Sequence, residues 1–377
     1  MPPNMNCKLL ITLSVCILSG WEVAAVTVAD LQHRLEPDTI DERTSLFWDG
    51  LAQSPAFGRP FWADMHSTLT RGEVAYATNS SDYDWAGTDV SYRPFVFANL
   101  GADLPLWSGN FAKGKYGVSV TLPFLIDVWL DMFERTTAPV INTGYRFGAF
   151  EFGFIHRLEE PFGRIKNYAL RLSPLKHECT HIGDELTIAR MNDPTMKITR
   201  VNVSYNYSEL MFTLNDPESS LHRNHAFRFG VLVLHDFDKG YYDILPQEAD
   251  ENIVEPSNRP FEYYLQYQYQ SKLLRHNLQA IVSAEVRSRE RYNYPFSYSG
   301  RLQDYWEQHP DKREMVLASP DKVCTNVFVG LRYNNPKSRA YYSKIGIGFR
   351  YYGGINPYGQ FRSQPSYSQW GLSLMFE

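Results

Sequence analysis

The stretch LKHECTHIGDELTI, residues 175–188, contains the residue types that most often carry chemistry in proteins. His177, Cys179 and His181 occupy alternate positions, so on an extended strand their side chains share one face. This pattern is compatible with a metal site, with a thiol nucleophile activated by histidine, or with a polar lining inside a larger structure. Which of these applies depends on the element that carries the stretch.

A metal site on this strand requires an unusual geometry. Neighbouring alternate residues lie roughly 6.8 Å apart, so His177 and His181 would be about 13–14 Å apart at their Cα atoms. Metal–nitrogen and metal–sulfur bonds of roughly 2.0–2.3 Å then require a bent strand or ligands from other strands. The chain also contains no phosphate-binding glycine loop and no EF-hand spacing. We therefore expect no metal and no cofactor.

The amino terminus predicts export. Lys8 precedes the apolar run LLITLSVCILSGW, and the small residues that follow place cleavage near Ala25, so residues 1–25 are predicted to be a signal peptide. The run is shorter than the roughly 20 residues of a membrane-spanning helix, and no later segment is more apolar. Cys179 and Cys324 remain in the mature chain and could form one disulfide.

The composition of the 377-residue chain favours β-structure, with 15% aromatic residues including 25 Tyr and 23 Phe. After a polar and proline-containing leader or small plug at residues 26–60, residues 61–377 show period-2 segments of about ten residues. The clearest are YYSKIGIGFRYY, PFEYYLQYQYQ and NLQAIVSAEVR. The pattern predicts half-apolar strands, as in a membrane barrel whose strands contact lipid at every second residue.

The last strand, YSQWGLSLMFE, places Trp370, Leu372, Leu374 and Phe376 on one face. A terminal strand of this type, ending in an aromatic residue, resembles the signal that the barrel-assembly machinery recognises, although Glu377 follows the aromatic residue here. The alternative is a secreted β-sandwich whose alternate residues face a protein core. The many alternating tyrosines and the arginines on the polar faces favour the barrel.

The connections between strands also alternate in length, as expected for long external loops and short periplasmic turns. Those predicted to be long are 237–259, 291–321 and 353–366; those predicted to be short are 271–276 and 335–340, with 182–184 and 206–208 short as well. We predict an all-β fold: one transmembrane antiparallel β-barrel of about 12–14 strands, with a short periplasmic segment at the amino terminus.

Five segments together resemble the bacterial family catalogued as domain of unknown function 1207. They are INTGYRFGAFEFG (141–153), RLSPLKHECTHIGDEL (171–186), VNVSYNYSELMFTL (201–214), GGINPYGQF (353–361) and WGLSLMF (370–376). The resemblance implies an outer-membrane β-barrel fold and location but supplies no reaction. The family pattern has serine where this chain has Cys179.

If residues 175–188 lie on a barrel wall, two interpretations of their histidines and cysteine remain. His177, Cys179, His181 and Glu185 are candidate catalytic residues, because outer-membrane lipid deacylases and phospholipases use a histidine to activate a serine on the wall; Asp184 or Glu185 would orient the imidazole. The pattern otherwise favours a polar network facing the lumen. Other residues are predicted to line that lumen: Arg146, Arg171, Arg200, Glu285, Arg332 and Arg350.

The sequence thus predicts an outer-membrane barrel of a Gram-negative bacterium with a transport or envelope-structural role, and any pore would prefer anions. The alternative function is an outer-leaflet lipid hydrolase that uses His177 and Cys179. The predicted partners are outer-membrane lipids and lipopolysaccharide, with the barrel-assembly machinery during biogenesis. A formal net charge of −5 argues against nucleic acid as a partner.

Overall fold

The chain folds into a closed antiparallel β-barrel of 12 strands, and the all-β barrel predicted from the sequence is confirmed. The computed structural model describes residues 40–43, 57–58, 60–79, 94–132, 140–182, 204–216, 223–235, 241–242, 253–254, 261–272, 277–290, 321–334, 344–358 and 367–376. A search of these residues finds no helix with the length and apolar character needed to cross a membrane.

Each hydrogen-bonded pair of strands in the wall is antiparallel. The strands are β1 (Ile40–Arg43), β2 (Thr70–Asn79), β3 (Pro94–Phe111), β4 (Tyr116–Leu130), β5 (Val140–Gly148), β6 (Glu151–Phe162), β7 (Ile165–Ile182), β8 (Ser204–Leu214), β9 (Asn224–Leu234), β10 (Tyr241–Tyr242), β11 (Ile253–Val254), β12 (Phe261–Gln270), β13 (Leu278–Glu290), β14 (Asp321–Asn334), β15 (Lys344–Gly354) and β16 (Tyr367–Phe376).

The barrel closes where the last strand pairs with the first barrel strand, β16 against β2. Strands β5 and β6 occupy a single position in the wall, since both lie between β4 and β7. β1 pairs with the far end of β3, and β10 pairs only with β11. Counting β5 and β6 together gives the 12 strands of the wall.

The outer face of the wall is apolar because strand side chains alternate between the two faces. In β16, Trp370, Leu372 and Leu374 are exposed, whereas Gly371, Ser373 and Met375 are buried. The face assignment predicted for the terminal strand is therefore confirmed. β12 follows the same alternation along its whole length, and β15 follows it from Lys344 to Tyr352. The exposed apolar rows form the surface that a bilayer would cover.

The inside of the barrel is filled rather than open. A segment at residues 57–58 and 60–69, here called the inner segment, lies inside the barrel. Hydrogen bonds to inward side chains of the wall strands hold it in place. The Trp62 N–H donates to Gln268 Oε1 at 2.9 Å, and the Ala63 N–H donates to Ser283 Oγ at 3.0 Å. Trp62 is almost completely buried.

Paired charges occupy much of the remaining interior. Five residues predicted to line the lumen are buried there: Arg146, Arg171, Glu285, Arg332 and Arg350. Acidic partners accompany Arg146, Arg171 and Arg350, as in the 3.1 Å contact between Arg350 Nη1 and Glu73 Oε2, whereas Arg332 donates to Gln270 and Gln279. The lining is therefore a mixed network and not a row of unpaired cations. Arg200, the sixth predicted residue, lies outside the described residues.

The two ends of the barrel differ in the length of their connections. One end carries turns such as 112–115, 163–164 and 271–277, whereas the other carries connections such as 183–203, 235–260 and 291–320. The predictions of short connections at 182–184 and 206–208 are wrong. Residues 206–208 lie within β8, where Asn206 and Ser208 are outward polar residues of a continuous strand, and the chain from β7 to β8 spans 183–203.

Candidate functional site

A β-bulge in β7 decides which face carries the candidate residues. Ser173 pairs with Glu209 and Lys176 pairs with Tyr207, so three residue steps on β7 oppose two on β8. In β7 the odd-numbered residues point inward before this bulge, and the even-numbered residues point inward after it. An extra residue reverses the alternation in this way because the side-chain period of a strand is two.

His177, Cys179 and His181 consequently point out of the barrel. His181 is exposed, and the other two side chains are half-buried. The expectation that this stretch lines the lumen is wrong, because strict alternation from Arg171 does not hold across the bulge. The candidate residues lie on the outer wall, on the face that carries the apolar rows.

His177 has a defined partner on the neighbouring strand. Its Nδ1 lies 2.9 Å from Oδ1 of Asn206, which is directly opposite it in the ladder between β7 and β8. An amide oxygen only accepts, so in this contact Nδ1 carries the proton and donates it. The other ring nitrogen, Nε2, is then left as the basic nitrogen of the neutral ring.

Cys179 is the next outward residue after His177 on β7. On an extended strand the Cα atoms of alternate residues are about 6.8 Å apart, so the two side chains are neighbours on the same face. Across the ladders Cys179 pairs with Tyr145 of β5 and with Ser204 of β8. Cys324 is buried inside the barrel, and the two cysteines form no disulfide. His177, Asn206 and Cys179 are thus the residue types that a base, its orienting group and a nucleophile require, on neighbouring positions of one face.

The remaining candidates play smaller parts or lie elsewhere. The imidazole of His181 packs edge-on against the ring of Tyr145, with centroids 5.7 Å apart. Asp184 and Glu185 lie outside the described residues. Where the structure describes the chain, no group of three His, Cys, Asp or Glu side chains is arranged to hold a metal ion. Among the described residues, Asn206 is the one that contacts Nδ1 of His177, and the role predicted for Asp184 or Glu185 stays a prediction.

A second serine–histidine pair lies beside this site. Ser208 Oγ is 2.6 Å from His235 Nε2, and Ser208 Oγ also donates to the carbonyl oxygen of Pro174. A hydroxyl has one proton, so the contact with His235 requires Nε2 to be the donor. In that arrangement His235 is not a base for Ser208. The pair instead connects the bulge of β7 to β8 and to the end of β9.

The candidate site lies at the edge of the apolar surface, toward the end with long connections. On β8 the outward row begins with Asn206 and Ser208 and continues with the exposed side chains of Leu210 and Phe212. On β9 the outward row of apolar residues ends at Val233, just before His235. A lipid beside the wall would therefore meet polar groups near the long connections and hydrocarbon-compatible side chains further along.

The fold defines the class of protein before any particular relative is considered: it is a β-barrel of the outer-membrane type. No known protein family matches the sequence, and no curated protein matches it. Solved structures are similar in fold only. Outer membrane phospholipase A from Escherichia coli (active-site mutant) has a TM-score of 0.42 and 12% identity, covering 87% of this chain and 96% of that one.

Two other outer-membrane proteins show a comparable likeness. The translocator domain of the autotransporter NalP from Neisseria meningitidis has a TM-score of 0.36 and 9% identity, covering 95% of this chain and 98% of its own. LpxR from Salmonella typhimurium has a TM-score of 0.31 and 10% identity, covering 81% and 99%. At this identity the likeness concerns the barrel alone.

Asn206 is a candidate site residue that the sequence did not predict. The signal was present, because Asn206 and Ser208 are polar residues in an outward row that continues with Leu210 and Phe212. Reading it requires the face of each strand, and the bulge hides that face on β7. Lipid-facing polar residues are costly, so such residues are good markers of a site once the faces are known.

Proposed function

We propose that this protein is an outer-membrane acyl hydrolase that cleaves fatty acyl esters of outer-leaflet lipids. The observation that carries the proposal is the 2.9 Å contact between His177 Nδ1 and Asn206 Oδ1 on the outer wall, with Cys179 as the next outward residue. Polar and ionisable groups on a lipid-facing surface require a reason, and a reaction with lipid supplies one.

The reaction follows from the roles of the three residues. Nε2 of His177 takes the proton of the Cys179 thiol while Sγ attacks the ester carbonyl, and Asn206 holds the imidazole in place. The tetrahedral intermediate collapses to a thioester on Cys179, and the lipid alkoxide leaves with the proton from His177. Water, deprotonated by His177, then hydrolyses the thioester and releases the fatty acid.

The interior supports a surface activity better than transport. The inner segment crosses the barrel, and the buried charges around it are paired with one another. Small barrels filled by side chains do not conduct, whereas wider ones do. The second candidate function is the transport or envelope-structural role that the sequence predicts. Of these two roles, a filled barrel favours the structural one.

The location belongs to the same proposal. We infer an exported protein of a Gram-negative outer membrane, with the long connections outside and the terminal strand recognised by the barrel-assembly machinery. The fold, the apolar outer rows and the unequal ends support it. Phospholipid and lipopolysaccharide are the two sources of acyl esters in the outer leaflet. If the resemblance to domain of unknown function 1207 holds, other members of that family can be tested for the same activity.

The test is lipid profiling of purified protein in mixed micelles with phospholipid and, separately, with lipopolysaccharide. We expect the wild type to release fatty acid, His177→Ala to lose about a hundredfold or more of the rate, and Cys179→Ala to lose it all. His225→Ala is the matched control, because His225 is another outward histidine, with Nδ1 2.9 Å from the Tyr267 hydroxyl, at the opposite end of the wall.

The control keeps the outcomes distinct. Full activity in His225→Ala shows that the loss is specific to the site and not to any outward histidine. Unchanged lipids with the wild type in both substrate arms would reject the hydrolase and leave the structural role.

A further inference from the structure

The bulge that turns the site outward is held by contacts from both sides of β7, one from β8 and one from the connection between β5 and β6. On the outer face Ser208 Oγ donates to the carbonyl of Pro174, and within the wall the Ala149 N–H donates to the carbonyl of Leu175 at 3.0 Å. The carbonyls of both bulge residues are therefore bound by neighbouring strands. This fixes where the side-chain alternation of β7 reverses.

The residues on either side of His177 are anchored on the inner face. Lys176 Nζ lies 2.5 Å from Glu151 Oε1 and 2.8 Å from Glu209 Oε2. On the other side, Glu178 Oε2 lies 3.0 Å from Arg146 Nε and accepts a hydrogen bond from the Tyr205 hydroxyl at 2.7 Å. His177 thus stands between two inward ion pairs, one residue away from each.

The Lys176 anchor belongs to a larger buried cluster. Arg171 pairs with Glu151 and lies 2.9 Å from Asp103 Oδ2, and its Nη1 donates to the carbonyl of Gly58 in the inner segment at 3.1 Å. The Tyr264 hydroxyl donates to Glu209 Oε1 at 2.8 Å. Partners from several strands and from the inner segment therefore restrict the position of Lys176.

We propose that Lys176 is a positioning residue for the outward site: its ion pairs inside the barrel set the angle at which His177 meets Asn206 and Cys179. The inference rests on the proposed function for its meaning, although the positioning itself is measurable without any lipid. Reaction rates are sensitive to such positioning, because a displacement of about 1 Å costs roughly a hundredfold in rate.

A general stabilising role of buried charges is the competing explanation, and the opposite wall offers a matched control. Arg350 and Glu73 form a buried pair between β15 and β2, in which Gln369 Nε2 and Ser373 Oγ also donate to the Glu73 carboxylate. Glu73→Gln removes a comparable charge far from His177. It is expected to affect the stability of the barrel and leave the site unaltered.

The experiment measures the rate of maleimide alkylation of Cys179 in detergent-solubilised full-length protein, with Cys179→Ser as the blank for Cys324. In Lys176→Met we expect Cys179 to be alkylated at the rate measured in His177→Ala. We also expect kcat for ester hydrolysis to fall by up to about a hundredfold, with KM unchanged. Lys176→Arg, which keeps the charge, should restore both, and Glu73→Gln should match the wild type.

Several outcomes separate the claims. A folded Lys176→Met that alkylates like the wild type overturns the positioning role, and so does an equal change in Glu73→Gln. If Lys176→Met does not assemble, Glu209→Gln removes one of the two partners of Lys176 and must show the same change in alkylation. If the alkylation of Cys179 changes in Lys176→Met but the wild type hydrolyses no ester, the proposed function is rejected and the positioning role of Lys176 stands.

Discussion

At the scale of single residues, the outer wall contains polar groups where the surrounding rows are apolar. His177, Asn206 and Cys179 lie together because the ladder between β7 and β8 places the first two opposite one another and alternation brings the third alongside. The hydrogen bond from His177 Nδ1 leaves Nε2 as the basic nitrogen. Each of the three roles is therefore open to a separate test.

Asn206→Ala should reduce ester hydrolysis by about ten- to a hundredfold, since the imidazole loses its orienting partner but remains present. The measurement is kcat with a micellar ester substrate, and heat-modifiable gel mobility checks that the barrel is intact. Asn206→Asp, which keeps an acceptor opposite Nδ1, should retain more activity than the alanine variant. Equal losses in the two variants would contradict the orienting role.

Cys179→Ser should keep measurable hydrolysis, because His177 can activate a hydroxyl in the same position. The variant should also resist maleimide, which should inactivate the wild type. The comparison of residual activities before and after maleimide treatment checks both points. A wild type that keeps its full activity after complete alkylation of Cys179 would show that the thiol is not the nucleophile.

At the scale of elements, the strands and their apolar faces could be predicted from the sequence, whereas the site could not be placed on the correct face. The alternation in β12, β15 and β16 is continuous, so their outward rows follow directly from the residue pattern. In β7 the reversal at the bulge depends on pairing with β5, β6 and β8. Strand pairing depends on residues far apart in the sequence, so the two-residue alternation of apolar and polar side chains along one strand does not reveal it.

The inner segment offers a test at the same scale. A Cβ at Gly346 on β15 would overlap the indole of Trp62, so Gly346→Val should destabilise the barrel by about 1–3 kcal/mol. Gly72→Val is the control, because a Cβ at Gly72 meets nothing within 4 Å. The midpoint of heat-modifiable gel mobility measures the difference. Equal midpoints for the two variants would contradict the close packing of the inner segment.

At the scale of the whole molecule, a filled barrel carries its candidate chemistry on the outside. Arg146, Arg171, Arg332 and Arg350, which the sequence predicted to line the lumen, are buried inside the barrel, but the sequence did not predict that acidic side chains and the inner segment would occupy the space between them. Whether a lumen is open depends on how side chains from opposite walls meet, which strand patterns do not report.

Planar-bilayer recordings test the filled interior. We expect no steady conductance from the purified wild type, because the inner segment and buried, mostly paired charges occupy the interior of the described part of the barrel. Stable conductance steps that scale with the amount of inserted protein would contradict this and would return the transport role to first place.

The central claim is that Cys179 is acylated during turnover, and intact-mass spectrometry of briefly reacted protein tests it most directly. Purified wild type mixed with an activated fatty acyl ester, or with phospholipid, is quenched in acid and weighed against the unreacted protein. We predict an adduct of one acyl group on Cys179 that neutral hydroxylamine removes, as expected for a thioester, with reduced formation in His177→Ala and none in Cys179→Ala. An unmodified mass under conditions in which fatty acid is released, or an adduct that persists in Cys179→Ala, would contradict the account.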